Sequence, residues 1–197
     1  MKYLLAALVL ASSASAQQMD GSFNMRSTDD DRVQLNLQYN PQRGGFSNYG
    51  RTIPASALSN IVRSGDRITF TLRRAAGTFT FDGRGSLDRA SGSYEFTPDA
   101  GFRRDLEALG FRGIEPKDQF VFALDDLTAS KTRQLLALLS DDIDTADLVN
   151  MINHGASVSY VQSMSDLGFR DMTSREYVRG RDHGVTAEYA RALHAAG

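Results

Sequence analysis

From residue 33 to residue 39 the chain alternates: Val33, Leu35, Leu37 and Tyr39 are apolar, while Gln34, Asn36 and Gln38 are polar. A period of two places every second side chain on one face, so this stretch predicts a strand with one buried side. The alternation returns at Ile68, Phe70 and Leu72, at Phe79 and Phe81, and at Tyr94 and Phe96, with Phe23 and Met25 as a weaker first example. β-Branched and aromatic residues fill these runs, as strands favour. Turn-like links separate them: Asn40-Pro41 with Arg43-Gly44-Gly45, Ala75-Ala76-Gly77, and Asp88 to Gly92. Residues 66–97 therefore read as a three-strand antiparallel meander. Between the early and late strands, Pro54 to Val62 predicts one short helix, with proline in its first turn and Leu58, Ile61 and Val62 as its apolar face. A sheet with one apolar side needs a second layer or closure on itself. Residues 17–98 thus read as an antiparallel β domain, in the form of a meander, a sandwich or a partial barrel.

Beyond residue 98 the pattern becomes helical and repeats every 29 residues. Phe102, Lys131, Tyr160 and Tyr189 fall in one register, Leu106, Leu135, Met164 and Leu193 in a second, and Leu109, Leu138, Leu167 and Ala196 in a third. Phe111 and Phe169 match two units apart, with Ser140 between them. Asp125-Asp126-Leu127-Thr128, His154-Gly155-Ala156-Ser157 and His183-Gly184-Val185-Thr186 also coincide. Each unit predicts two helices. The first carries apolar residues at i, i+4 and i+7, starts at an N-cap such as Ser157 or Thr186, and stops at Gly168. The second starts at Thr173 with Glu176 three residues on, a capping box repeated by Asp144 and Asp147, and stops at the pairs His154-Gly155 and His183-Gly184. Helices this short do not stand alone in water, so the units must pack on one another. The whole reads as α+β: an antiparallel β domain over 17–98, then an all-α array of two-helix repeats over 99–197, with units starting near 102, 131, 160 and 189.

The N-terminus changes the setting. Lys2, the apolar run Tyr3 to Ala11 and the small residues Ala14-Ser15-Ala16 fit a cleavable signal peptide over residues 1–16, with the mature chain starting near Gln17. That apolar run is far shorter than the roughly 20 residues a membrane span needs. The expected location is periplasmic or secreted, with no membrane span. The 197 residues contain no cysteine, which removes disulfides, thiolate metal sites and cysteine nucleophiles. Lys and Arg number 22 against 24 Asp and Glu. Residues 17–98 hold 10 Arg and 8 acids, residues 99–197 hold 11 basic and 16 acidic residues. Neither half has the basic excess that a row of phosphates demands, so no nucleic-acid partner is expected.

Candidate chemistry is sparse. Gly83-Arg84-Gly85-Ser86 is followed by a strand rather than a helix, and so reads as a turn rather than a phosphate cradle. Asp29-Asp30-Asp31 lacks the alternating ligands and distal Glu of a calcium loop. Arg73, Arg74, Arg84 and Arg89 offer a modest anion-binding rim, or solvated strand positions. His154 and His183 suggest metal ligands. Equivalent atoms in stacked units lie roughly 8–10 Å apart, too far to share a zinc ion, so C-terminal helix capping is the better reading. The carboxylate pairs Asp125-Asp126 and Asp141-Asp142 sit at unit junctions near helix N-termini, where acids are favoured electrostatically. No catalytic residue, cofactor or metal is assigned.

Two stretches carry a resemblance. Arg74-Ala75-Ala76-Gly77-Thr78-Phe79-Thr80-Phe81-Asp82-Gly83 continuing to Gly92-Ser93-Tyr94-Glu95-Phe96-Thr97-Pro98, and Leu167-Gly168-Phe169 through His183-Gly184-Val185-Thr186 to Tyr189, resemble exported bacterial proteins with a β domain and helical repeats. Similar segments are appended to membrane-bound antirepressor metallopeptidases of the BlaR/MecR type. The peptidase motif and its membrane spans are absent here, so the resemblance implies an envelope sensing or interaction module and transfers no catalytic residue. The expected function is protein–protein interaction or scaffolding, with another envelope or extracellular protein as partner. Arg170, Arg175, Arg179, Arg181 and Glu188 are the candidate outward residues. The runner-up is a small-ligand-binding β domain supported by the repeats.

Overall fold

The computed structural model describes residues 19–28, 30–39 and 47–196. The expected signal peptide, the link through Asn40 and Gly45, and Asp29 lie outside the described residues. Seven antiparallel strands come first: β1 (Met19–Thr28), β2 (Arg32–Tyr39), β3 (Ser47–Pro54), β4 (Leu58–Ser64), β5 (Arg67–Arg74), β6 (Gly77–Gly85) and β7 (Arg89–Pro98). Their order is β3-β2-β1-β7-β6-β5-β4, so β3 and β4 are the two edges. Yet only the short 3-10 turn Ala55–Ala57 joins those edges. Laid flat, they would stand six spacings of about 4.8 Å apart, roughly 29 Å. Four residue steps reach at most about 14 Å. The sheet must therefore curl into a partial barrel, one of the three forms the sequence left open.

The curl brings distant strands together inside. Phe23 of β1 meets Phe70 of β5 edge-on at 5.6 Å, although β7 and β6 lie between those strands. Gly83 and Gly92 face each other across β6 and β7, and a Cβ on Gly83 would sit 2.9 Å from the Phe23 ring. Two glycines in register thus let the ring pass where the curvature is tight. Val33, Leu35, Leu37, Ile68, Phe70, Leu72, Phe79, Phe81, Tyr94 and Phe96 all point inward and are buried, as the alternation requires.

The meander over residues 66–97 is present as β5, β6 and β7. The helix expected over Pro54 to Val62 is not: after the turn at Ala55–Ala57 the chain forms β4. Ile61 and Val62 are exposed rather than a packed face, and the register shifts between Ser59 and Val62 around Asn60, whose φ is 51°. A bulge on an edge strand turns side chains outward and blunts the edge against further pairing.

Seven helices follow: α1 (Ala100–Ala108), α2 (Pro116–Leu124), α3 (Ala129–Leu136), α4 (Thr145–Asn153), α5 (Val158–Asp166), α6 (Ser174–Asp182) and α7 (Ala187–Ala196). The odd helices begin 29 residues apart, and so do the even ones. Odd packs on odd and even on even along the array. The caps keep the same spacing. Asp99, Thr128, Ser157 and Thr186 accept the backbone N–H of Phe102, Lys131, Tyr160 and Tyr189. Glu115, Asp144 and Thr173 head the even helices in capping boxes closed by Asp118, Asp147 and Glu176.

Helix α2 joins the two halves. Its residues from Asp118 to Leu124 are all buried, because it lies between the barrel and the rest of the array. Phe120 closes the barrel, with its ring 5.2–6.5 Å from those of Tyr39, Tyr49, Phe79, Tyr94 and Phe96. Beside it, the Gln119 amide donates to the carbonyls of Ala76 and Asp99 at 3.0 and 2.7 Å.

Candidate interaction surface

Three of the four carboxylates at the unit junctions are held in structural contacts, and Asp142 is exposed. Asp125 lies 3.8 Å from Arg51 of β3, and Asp126 lies 3.5 Å from Arg74 of β5 and 3.1 Å from Lys131. Burial pushes the Asp125 carboxyl above its ordinary range, and the Arg51 and Lys131 charges oppose that. This cluster fastens the barrel to the first repeat. Asp141 accepts from the backbone N–H of Ser174 at 2.8 Å and from its hydroxyl at 2.7 Å, so it ties the start of α6 to the previous unit. Asp125, Asp126 and Asp141 are thus engaged in ion pairs and a helix start rather than standing free across a cleft, as acid–base chemistry on a glycoside requires.

The histidines close their helices as C-caps of α4 and α6. Behind them Gly155 and Gly184 take φ of 72° and 74°, and Asp126 takes 53° at the same place one unit earlier. Gly168, after α5, takes 95°. The His154 side chain does not reach the carbonyls of its own helix. Its Nδ1 lies 2.6 Å from Asp182 at the end of α6, and so links two units instead. Arg181 works alongside: its guanidinium lies 5.0 Å over the Tyr160 ring, and Nη1 donates to the Val185 carbonyl. Among the described residues no three His, Asp or Glu side chains gather as a metal set.

Of the five outward candidates, Arg170, Arg175, Arg179 and Glu188 are exposed, whereas Arg181 is half-buried in the contact with Tyr160. Arg170 donates weakly to the Ser165 carbonyl at 3.4 Å. The arginine rim splits in two: Arg84 and Arg89 line one cleft together with Arg26, apart from Arg73 and Arg74. Arg74 pairs with Gly77 at one end of β6 and Arg84 with Arg67 at the other, seven residues or about 23 Å away. Arg84 instead meets Asp66 at 3.4 Å. A cleft of about 740 Å³ lies between the loop before α2 and helix α4. Its acids Asp118 and Asp144 serve the capping boxes, and burial raises the Asp118 carboxyl.

The clearest surface feature lies at the far end of the array. Phe102 is 3% exposed and Tyr160 8%, but Tyr189, in the same register, is 58% exposed. Leu106, Leu135 and Met164 are 0%, 1% and 4% exposed, and Leu193 is 58%. Helix α7 turns outward the positions that earlier units bury.

No family model, curated protein or solved structure matches the chain.

Proposed function

We propose that this chain is an exported interaction or scaffolding module of the bacterial cell envelope. The barrel and α2 provide a fixed base, and the helical array presents the contact surface. The observation that carries this reading is the exposed apolar pair Tyr189 and Leu193 on α7. Burying each of these side chains on a partner is worth about 1.5–3 kcal/mol. The exposed arginines Arg175 and Arg179 on the neighbouring α6 supply a polar rim.

The small-ligand reading of the barrel has less support, since aromatic side chains fill its interior and Phe120 closes it. Affinity capture from envelope extract tests the proposal, using the full mature chain and its Leu193→Glu variant. One defined protein recovered by the wild type and lost with the variant is the expected result. Identical recovery by both, or none by either, contradicts it. Mass spectrometry of the secreted chain, with Gln17 as first residue, tests the export.

A further inference from the structure

On the outer wall of the barrel, polar side chains stand in rows across the sheet. Asn36 of β2, Asn24 of β1, Ser91 of β7 and Arg84 of β6 pair in register and are all exposed. One row further along, Arg26 of β1 faces Arg89 of β7. These residues line an open cleft of about 600 Å³. Arg89 starts β7, and Tyr94, which touches Phe120, lies about 16 Å further along it, so the cleft sits away from α2. We propose that this cleft binds a sugar bearing a carboxylate or phosphate group. The site is separate from α7 and needs no protein partner.

The arginines set the sign of the ligand. Like charges directly opposite one another on a sheet are destabilising, and Arg26 and Arg89 are such a pair. Arg84 is the diagonal neighbour of Arg89, at a backbone separation of roughly 7–8 Å that long side chains span. Three guanidiniums from three strands thus converge. Nearby the sheet neutralises its arginine: Arg67 donates to Asp82 through two hydrogen bonds, of 3.0 and 2.6 Å. Among the described residues lining the cleft the one acid is Asp66, 3.4 Å from Arg84, with both side chains largely exposed. Asp88, in the turn before β7, faces the Ser86 hydroxyl at 3.5 Å. Among the described residues neither Arg26 nor Arg89 has a carboxylate partner. Arg26 is also held in place, since its Nε donates to the Gln34 side chain at 2.8 Å and leaves both Nη groups for an acceptor. Guanidinium N–H groups form a planar fork that matches two oxygens of a carboxylate or phosphate.

The rest of the lining favours a sugar over a base or a peptide. Met25 and Ala90, the apolar residues there, are buried in the barrel, so a ligand meets mainly polar side chains. No aromatic ring is among the described lining residues to stack a nucleobase. The amides of Asn24 and Asn36 and the hydroxyl of Ser91 both donate and accept, as the hydroxyls of a sugar do.

A chemical-shift titration of the intact mature chain tests this, following the arginine Nε–H signals by NMR. The probes are glucuronate, a hexose phosphate, inorganic phosphate, neutral glucose and a short glutamate peptide. The expected result is that glucuronate or the hexose phosphate shifts the Arg26 and Arg89 signals, the tighter of the two naming the anionic group, while glucose shifts neither. Arg26→Gln and Arg89→Gln should each weaken binding at least about tenfold, because each removes a charged hydrogen bond. Arg73→Gln, at the other end of the barrel, should leave it unchanged. Asn24→Ala should weaken the sugar ligand and not inorganic phosphate. All four side chains are exposed, so thermal melts of the variants should match the wild type and exclude misfolding. No shift with either acidic sugar at millimolar concentration, or binding indifferent to Arg89→Gln, overturns the proposal. Inorganic phosphate or the glutamate peptide binding as tightly as the acidic sugars overturns the sugar as ligand.

Discussion

His154 and Asp182 close the ends of adjacent even helices, and their side chains meet at 2.6 Å across the boundary between two repeats. The imidazole donates to the carboxylate, and Arg181 beside it packs over Tyr160 of its own unit. The loop at His154 is thus gripped by the following helix.

Both partners are partly exposed, so the pair is worth at most about 1 kcal/mol, or about 2–4 °C in Tm for a chain of this size. His154→Ala and Asp182→Ala should each lower Tm by no more than that, with metal content unchanged. The double variant should fall no further than either single one, because both remove one interaction. Additive losses in thermal melts would show that the contact carries no coupling.

Phe120 offers a larger effect. It packs against five aromatic rings of the barrel and belongs to the helix that bears the array. Phe120→Ala should cost about 3–5 kcal/mol in urea unfolding. A loss below about 1 kcal/mol, the range of surface substitutions, would mean that α2 does not close the barrel.

Gly155 and Gly184 share a left-handed backbone but not their surroundings. A Cβ on Gly155 would lie 3.3 Å from the Arg181 guanidinium, while one on Gly184 would meet open space. Gly184→Ala should cost about 1–2 kcal/mol from backbone conformation alone. Gly155→Ala should cost more, because Arg181 must also move off Tyr160. Equal costs in chemical denaturation would separate Arg181 from this loop.

Glu176 provides the pH dependence. Its carboxylate accepts from the Thr173 backbone N–H and hydroxyl, and these bonds hold its pKa below the ordinary carboxylate value. A carboxylate with a depressed native pKa stabilises the fold above its unfolded pKa of about 4.3. That contribution is lost as pH falls through the native value. Glu176→Ala should therefore lower Tm at neutral pH and converge with the wild type in acid. A Tm difference that stays constant down the titration would contradict this.

The repeat was legible in the sequence because each short helix depends on local chemistry. Asp99, Thr128, Ser157 and Thr186 recur at one spacing, and each bonds the N–H three residues on. The inner strands were legible for a similar reason, since burial on one face enforces alternation at Val33 to Tyr39 and Ile68 to Leu72.

The edge strands were hidden. In β3 the inward row runs Tyr49, Arg51, Ile53, so a charge interrupts the apolar pattern; Arg51 reaches Asp125, which only the folded chain brings near. In β4 only Leu58 is buried, and the adjacent Ile61 and Val62 imitate a helical face. An edge strand is held by the backbone of one neighbour and needs no alternation. The partner of His154 was hidden too, because Asp182 is its neighbour in space and lies 28 residues away in sequence. Tyr189 and Leu193 were visible in register. Their exposure is a property of the folded array rather than of any window within it.

The central claim is that the exposed apolar face of α7 is made to be covered by a partner protein. Amide hydrogen exchange along the chain, with and without the protein captured from envelope extract, tests it most directly. The account expects protection of the α7 amides to rise when the partner is present, while α2 and the barrel strands stay unchanged. Exchange in α7 that is the same with and without the partner would contradict it.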